Sequence, residues 1–190
     1  MRVLLFVISM SLLTACASLP QHPGGQRFIQ PGVSFTPPAD SQWSVAMLST
    51  YQTMLATNGK IANESFIVAT QLFQIPPFSS KDEFLKFVQK GRSSEPQTGR
   101  FETIKNQETL YEQREEICVK HKAASKDCGA KRGGEYSIYE TYGMNCIHPK
   151  NTKVGVFIEL SRKAPAGTSN DDFDRFGENL LKSVQFSDFR

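Results

Sequence analysis

The sequence predicts an α+β domain: an antiparallel β-sheet of about five to six strands with two helices packed on one face. Three observations predict it. Several short runs rich in β-branched and aromatic residues lie between turn signals, which is the pattern of strands. Only two stretches pair helix-start residues with an apolar stripe at helical spacing, one beginning at Ser80 and one at Ser169. Runs of strands with so few helices suit antiparallel pairing, with the helices gathered on one side of the sheet.

The chain opens with the three parts of a secretory signal. Met1-Arg2 is a short positive start, Val3 to Leu13 an apolar run, and Thr14-Ala15 a small-residue cleavage site. Eleven such residues span only about 16 Å as a helix, roughly half a hydrocarbon core, so they do not read as a membrane span. With Cys16 directly behind it, Leu13-Thr14-Ala15-Cys16 resembles the lipobox of bacterial lipoproteins. That resemblance implies a diacylglycerol on the Cys16 thiol, cleavage before Cys16 and acylation of the new amine. Two acyl chains already anchor stably. Ala17-Ser18, with no Asp, resembles the pattern carried on to the outer membrane.

Three regions follow from this. Residues 1–15 form the signal, 16–40 a lipidated Cys with a Pro/Gly-rich tether, and 41–190 a single α+β domain. The tether reading rests on Pro20, Pro23, Pro31, Pro37 and Pro38 alternating with Gly24, Gly25 and Gly32. Phe28, Ile29, Val33 and Phe35 interrupt its polarity, and Phe28-Ile29 and Phe35 can dock on the domain, so the tether is loose and not necessarily free. About 175 residues remain after the signal, enough for one self-sufficient core. A formal charge of +3 on 190 residues argues against a nucleic-acid partner.

Within the domain, Trp43, Val45, Met47, Tyr51 and Leu55 fall on alternate positions, as on a strand with one buried face. Asn58-Gly59 offers a hairpin turn. Ser65 to Ile75 is apolar on both parities, and Pro76-Pro77 ends it. Ser80 and Glu83 form a capping box ahead of Phe84, Leu85, Phe87 and Val88, and Gly91 closes that helix. Residues 101–124 carry helix-forming Glu, Gln, Lys and Arg, yet Phe101 to Ile104 and Ile117 to Val119 are strand-like. Two strands broken near Glu112–Glu115 are expected there. Strands follow from Tyr136 to Ile147 and from Val154 to Leu160. A final helix opens at Ser169 to Asp172 and buries Phe173, Phe176, Leu180, Leu181 and Val184.

The chain resembles a family of small proteobacterial lipoproteins to which no activity is assigned. The residues that carry the resemblance include Trp43, Gln71 to Pro76, Arg100-Phe101, Cys118, Gly143, Cys146 to Pro149, Val154 to Arg162 and Leu181 to Phe186. It implies an envelope address and a fold. The order of elements is also similar to PsbP/Mog1-type α/β sandwiches, a fold-level analogy that carries no function.

Once Cys16 is acylated, Cys118, Cys128 and Cys146 remain in an oxidising compartment. Cys118 and Cys146 are equidistant from Arg132, so a hairpin centred there sets them opposite each other for a disulfide. The rival pairing is Cys118 with Cys128. Cys146 and His148, with His121 near Cys118, offer a zinc or hydrolase-like alternative, though the paired ligand spacings and the Gly-x-Ser-x-Gly elbow of such sites are missing. No cofactor is expected. Lys120, Lys122, Lys126, Lys131 and Arg132, opposed locally by Asp127 alone, form a basic loop that is either a solvated face or a contact for an anionic envelope surface. The expected role is a non-catalytic binding or structural module, lipid-anchored to the outer membrane. Its partners are the membrane and an anionic envelope component or another envelope protein.

Overall fold

The computed structural model describes residues 18–93, 100–129, 136–169 and 171–189. Among the described residues, eleven strands and two helices run in the order β1 (Gln21–Pro23), β2 (Phe28–Gln30), β3 (Val33–Phe35), β4 (Gln42–Leu48), β5 (Gln52–Asn58), β6 (Ser65–Gln74), α1 (Lys81–Ser93), β7 (Phe101–Leu110), β8 (Cys118–Asp127), β9 (Ser137–Ile147), β10 (Val154–Pro165), α2 (Phe173–Ser183) and β11 (Gln185–Phe186). Eight strands form one antiparallel sheet in the order β1-β4-β5-β6-β10-β9-β8-β7, and β11-β3-β2 form a second.

The class is α+β, but the expected single sheet of five to six strands is corrected to sheets of eight and three. Three segments account for the difference, one of them β11, which follows α2 directly. Trp43 to Leu55 is two strands, because Ser49 makes a turn without Gly or Pro. Its hydroxyl accepts the N–H groups of Tyr51 and Gln52, a local alternative to the ladder. Residues 21–35, expected as tether, are strands of the domain. Val33 and Phe35 are fully buried and Phe28 nearly so.

The expectation of both helices on one face is also corrected. Cys118 and Cys146 join the larger core with Phe173, Leu180 and Leu181 of α2. Their neighbours Val119 and Ile147 join a second core with Phe84 and Val88 of α1. Adjacent strand residues point to opposite faces, so α1 and α2 lie on opposite sides of the large sheet. A sheet covered on both faces explains the apolar residues on both parities of β6.

Local signals at the first helix hold. Glu83 N–H donates to Ser80 Oγ at 3.1 Å, and Glu83 Oε2 accepts the Ser79 N–H at 2.7 Å. The helix passes through Gly91 rather than stopping there. Residues 101–127 are two strands with a break between Leu110 and Cys118.

Candidate functional site

Three polar clusters and two buried histidines are the chemically distinctive groups among the described residues. The first cluster lies under the end of α1. Glu108, His121, Gly143 and Glu159 face one another across β7, β8, β9 and β10. His121 is fully buried, and its Nε2 lies 2.9 Å from Glu159 Oε2. Arg92, in the last turn of α1, reaches Glu108 at 3.2 Å and Glu159 at 3.8 Å. Phe157 stacks parallel to the imidazole at 5.9 Å. The ring fits because Gly143 has no side chain: a Cβ there would come within 2.6 Å of His121 Nε2. His121 Nδ1 has no hydrogen-bond partner. No face of His121 is open to a substrate, so the cluster's chemistry is to tie α1 to the sheet.

The second cluster ties α2 to the opposite face. The hydroxyls of Tyr111 and Tyr142 donate to the two oxygens of Glu178, at 2.7 and 2.5 Å. Burial, then the hydrogen bond to Glu178, pushes both phenols well above their ordinary range, so both stay protonated donors. Burial pushes Glu178 up, but the two hydroxyls, with Lys120 and Lys182, outweigh it and hold the carboxylate below its ordinary value. Lys120 also sits over the Tyr111 and Tyr142 rings, at 5.1 and 5.9 Å. Such a group is neither a base nor a nucleophile poised near neutrality.

The third cluster is an ion network at the other end of the sheet. Arg162, almost fully buried, donates to Glu64 and Glu140 at 2.7 Å each and reaches Thr168. Nearby, Asp127 accepts from Arg100 through both oxygens and from Lys163 at 2.7 Å.

The sequence-predicted residues fall as follows. Cys118 and Cys146 are disulfide-bonded, and Cys128 is free and exposed. The two partners face each other in the β8–β9 register, as the hairpin symmetry requires. Cys146 is therefore not a free thiolate ligand. His148 is fully buried with both ring nitrogens engaged: Nδ1 accepts the Lys150 N–H at 3.2 Å, so Nε2–H donates to the Gly32 carbonyl at 2.9 Å. Phe186 and Phe189 pack against that ring. His148 thus fastens residues 28–35 and the C-terminal segment to the sheet.

Lys120, Lys122 and Lys126 lie on strand β8, not in a loop, and acids distant in sequence meet each one. Lys120 pairs with Glu178, Lys122 with Asp174, and Lys126 with Glu102. Glu102, Asp174 and Glu178 come from β7 and α2, so local charge counting missed them. Lys131, Arg132 and Cys16 lie outside the described residues. The Arg162 network and the Arg92–His121 cluster likewise join residues far apart in sequence. An Arg within a β-rich run was the available signal for the first.

In layout this is a two-faced β-sheet protein with a helix on each face. No family model and no curated protein matches the chain. In fold it is similar to the Saccharomyces cerevisiae Ran-binding protein Mog1p, at 10% identity with a TM-score of 0.45. That match covers 87% of this chain and 97% of the other. A likeness that distant carries no argument about function.

Proposed function

We propose that this chain is a lipoprotein anchored to the outer membrane through Cys16, and that its domain is a non-catalytic binding or structural module of the envelope. The observation that carries the reading is the buried Cys118–Cys146 disulfide. A disulfide built into a core belongs to a protein that folds outside the reducing cytosol. That is the route implied by the signal ending in Leu13-Thr14-Ala15-Cys16. The non-catalytic part rests on the polar clusters, whose carboxylates and tyrosines hold helices to the sheet. Its partners are the membrane and an envelope component, with the lysines of β8 supplying a paired, weakly basic surface.

Fractionation and mass spectrometry test the anchor. The mature chain is expected in the outer-membrane fraction with Cys16 carrying acyl chains, and Cys16→Ser is expected to leave an uncut precursor. A soluble wild-type chain with an unmodified Cys16 would overturn the reading. A non-reducing digest should yield Cys118 joined to Cys146, with Cys128 open to alkylation.

A further inference from the structure

We infer that the β4–β5 hairpin tip, with Leu19 beside it, is a second contact with the lipid surface, holding the domain against the membrane rather than on a tether. The inference rests on the lipid-anchor reading and adds which surface faces the bilayer.

Where the chain emerges is the first observation. The Pro20 carbonyl accepts the Val45 N–H at 2.8 Å, and β1 pairs antiparallel with β4. The chain before Pro20 therefore arrives from the Leu48 end of β4. Four Cα–Cα steps join Cys16 to Pro20, a reach of at most about 14 Å. An anchor at Cys16 brings the hairpin tip to the interface.

The second observation is what the tip exposes. Leu48 is 64% exposed, Tyr51 67%, Leu19 51% and Met47 42%. These four gather at one corner of the sheet, where exposed apolar side chains mark an interaction surface. An aromatic with a polar tip such as Tyr51 suits the headgroup level of a bilayer.

Charge supplies the third. Strands β1, β4, β5 and β6 contain no Asp, Glu, Lys or Arg, whereas each of β7, β8, β9 and β10 contains at least one. Half the large sheet can approach an apolar medium without desolvating a formal charge. Exposed Lys153, at the same end of the sheet, lies where headgroup phosphates would be met. Of the acids near that end, Glu112, Glu115 and Glu116 belong to the β7–β8 connection, four strands away from β5, Asp82 and Glu83 open α1, and Asp188 pairs with Lys150 beyond β9. The contact is thus confined to the β1–β4–β5 edge.

Site-specific fluorescence tests this on the full mature chain, reconstituted in phosphatidylethanolamine–phosphatidylglycerol vesicles. With Cys128→Ser as background, a fluorophore is placed on Thr50→Cys in the tip or on Lys105→Cys on β7. The Thr50 label is expected to be quenched by lipid-borne quencher and to resist aqueous iodide several-fold better than the Lys105 label. Adding Leu48→Ser and Tyr51→Ser is expected to remove that difference. Equal iodide access at both positions, with Cys16 acylated, would overturn the contact and leave the anchor standing. Shielding of Thr50 from iodide without lipid quenching would also overturn it, assigning the tip to a second copy of the chain. Mass spectrometry of the Cys16 peptide reads the anchor separately. If it is unacylated, the same measurement with Cys16→Ser decides the contact alone.

Discussion

His121 occupies the space that a side chain on Gly143 would need. A Cβ at Gly143 would come within 2.6 Å of His121 Nε2 and 2.5 Å of the Ile158 carbonyl. Overpacking a core typically costs about 1–3 kcal/mol. Gly143→Ala is expected to lose that much in urea unfolding. His121→Ala should restore only part of it, since the Ile158 carbonyl belongs to a central strand and cannot give way. A fully stable Gly143→Ala would show that the imidazole does not depend on this space.

Residues 28–35 belong to the core, and His148 holds them through Gly32. A fragment beginning at residue 41 is therefore expected to lack a cooperative unfolding transition. It would uncover the surfaces that bury Phe28, Val33 and Phe35, and would lose the Trp43 Nε1–H bond to the Pro38 carbonyl. A chain beginning at residue 17 should retain the transition. Sharp melting of the shorter fragment, followed by near-ultraviolet circular dichroism, would return residues 17–40 to a tether.

Arg162 is 1% exposed and bonds Glu64, itself nearly buried. Removing one partner of a buried pair leaves the other charge uncompensated, at a cost of about 3–5 kcal/mol. Arg162→Met is expected to cost that much in chemical denaturation. Adding Glu64→Gln should recover part of it, because the unpaired charge is then gone. Equal losses in the single and double variants would show that packing, not charge, sets the cost.

Asp127 gives the stability a pH dependence of known sign. The hydrogen bond from Arg100 holds its carboxyl well below the ordinary value of 3.8, against the opposing effect of burial, with help from Lys163 and the Gly129 N–H. A depressed folded-state value stabilises the protein above the unfolded value, and the contribution fades as pH falls through the folded one. Asp127→Asn is expected to cost about 1–3 kcal/mol at pH 7. The gap to wild type should narrow steadily as the pH is lowered below about 4. A gap independent of pH would mean that the lost contacts are not those of the carboxylate charge.

Much of the strand and helix content was legible because it is local. The capping box at Ser80 and Glu83 is satisfied within a few residues, and the stripe from Phe173 to Leu181 and the β-rich run from Val154 are patterns of short period that can be read before their partners are known. The opposition of Cys118 and Cys146 was legible too, since a hairpin's symmetry is a property of spacing.

Tertiary structure decided what depends on partners far along the chain. Phe28, Val33 and Phe35 look too sparse to fold, and they order because α2, β11 and the large sheet supply the rest of their core. Which face each helix covers was undetermined, because an apolar stripe demands burial without naming a surface. The lysines of β8 read as a free basic patch until β7 and α2 brought Glu102, Asp174 and Glu178 to them. His148 and Arg162 have the same explanation. Burying a polar group is tolerable only when folding delivers its partners, and those partners lie 116 residues away at Gly32 and 98 residues away at Glu64.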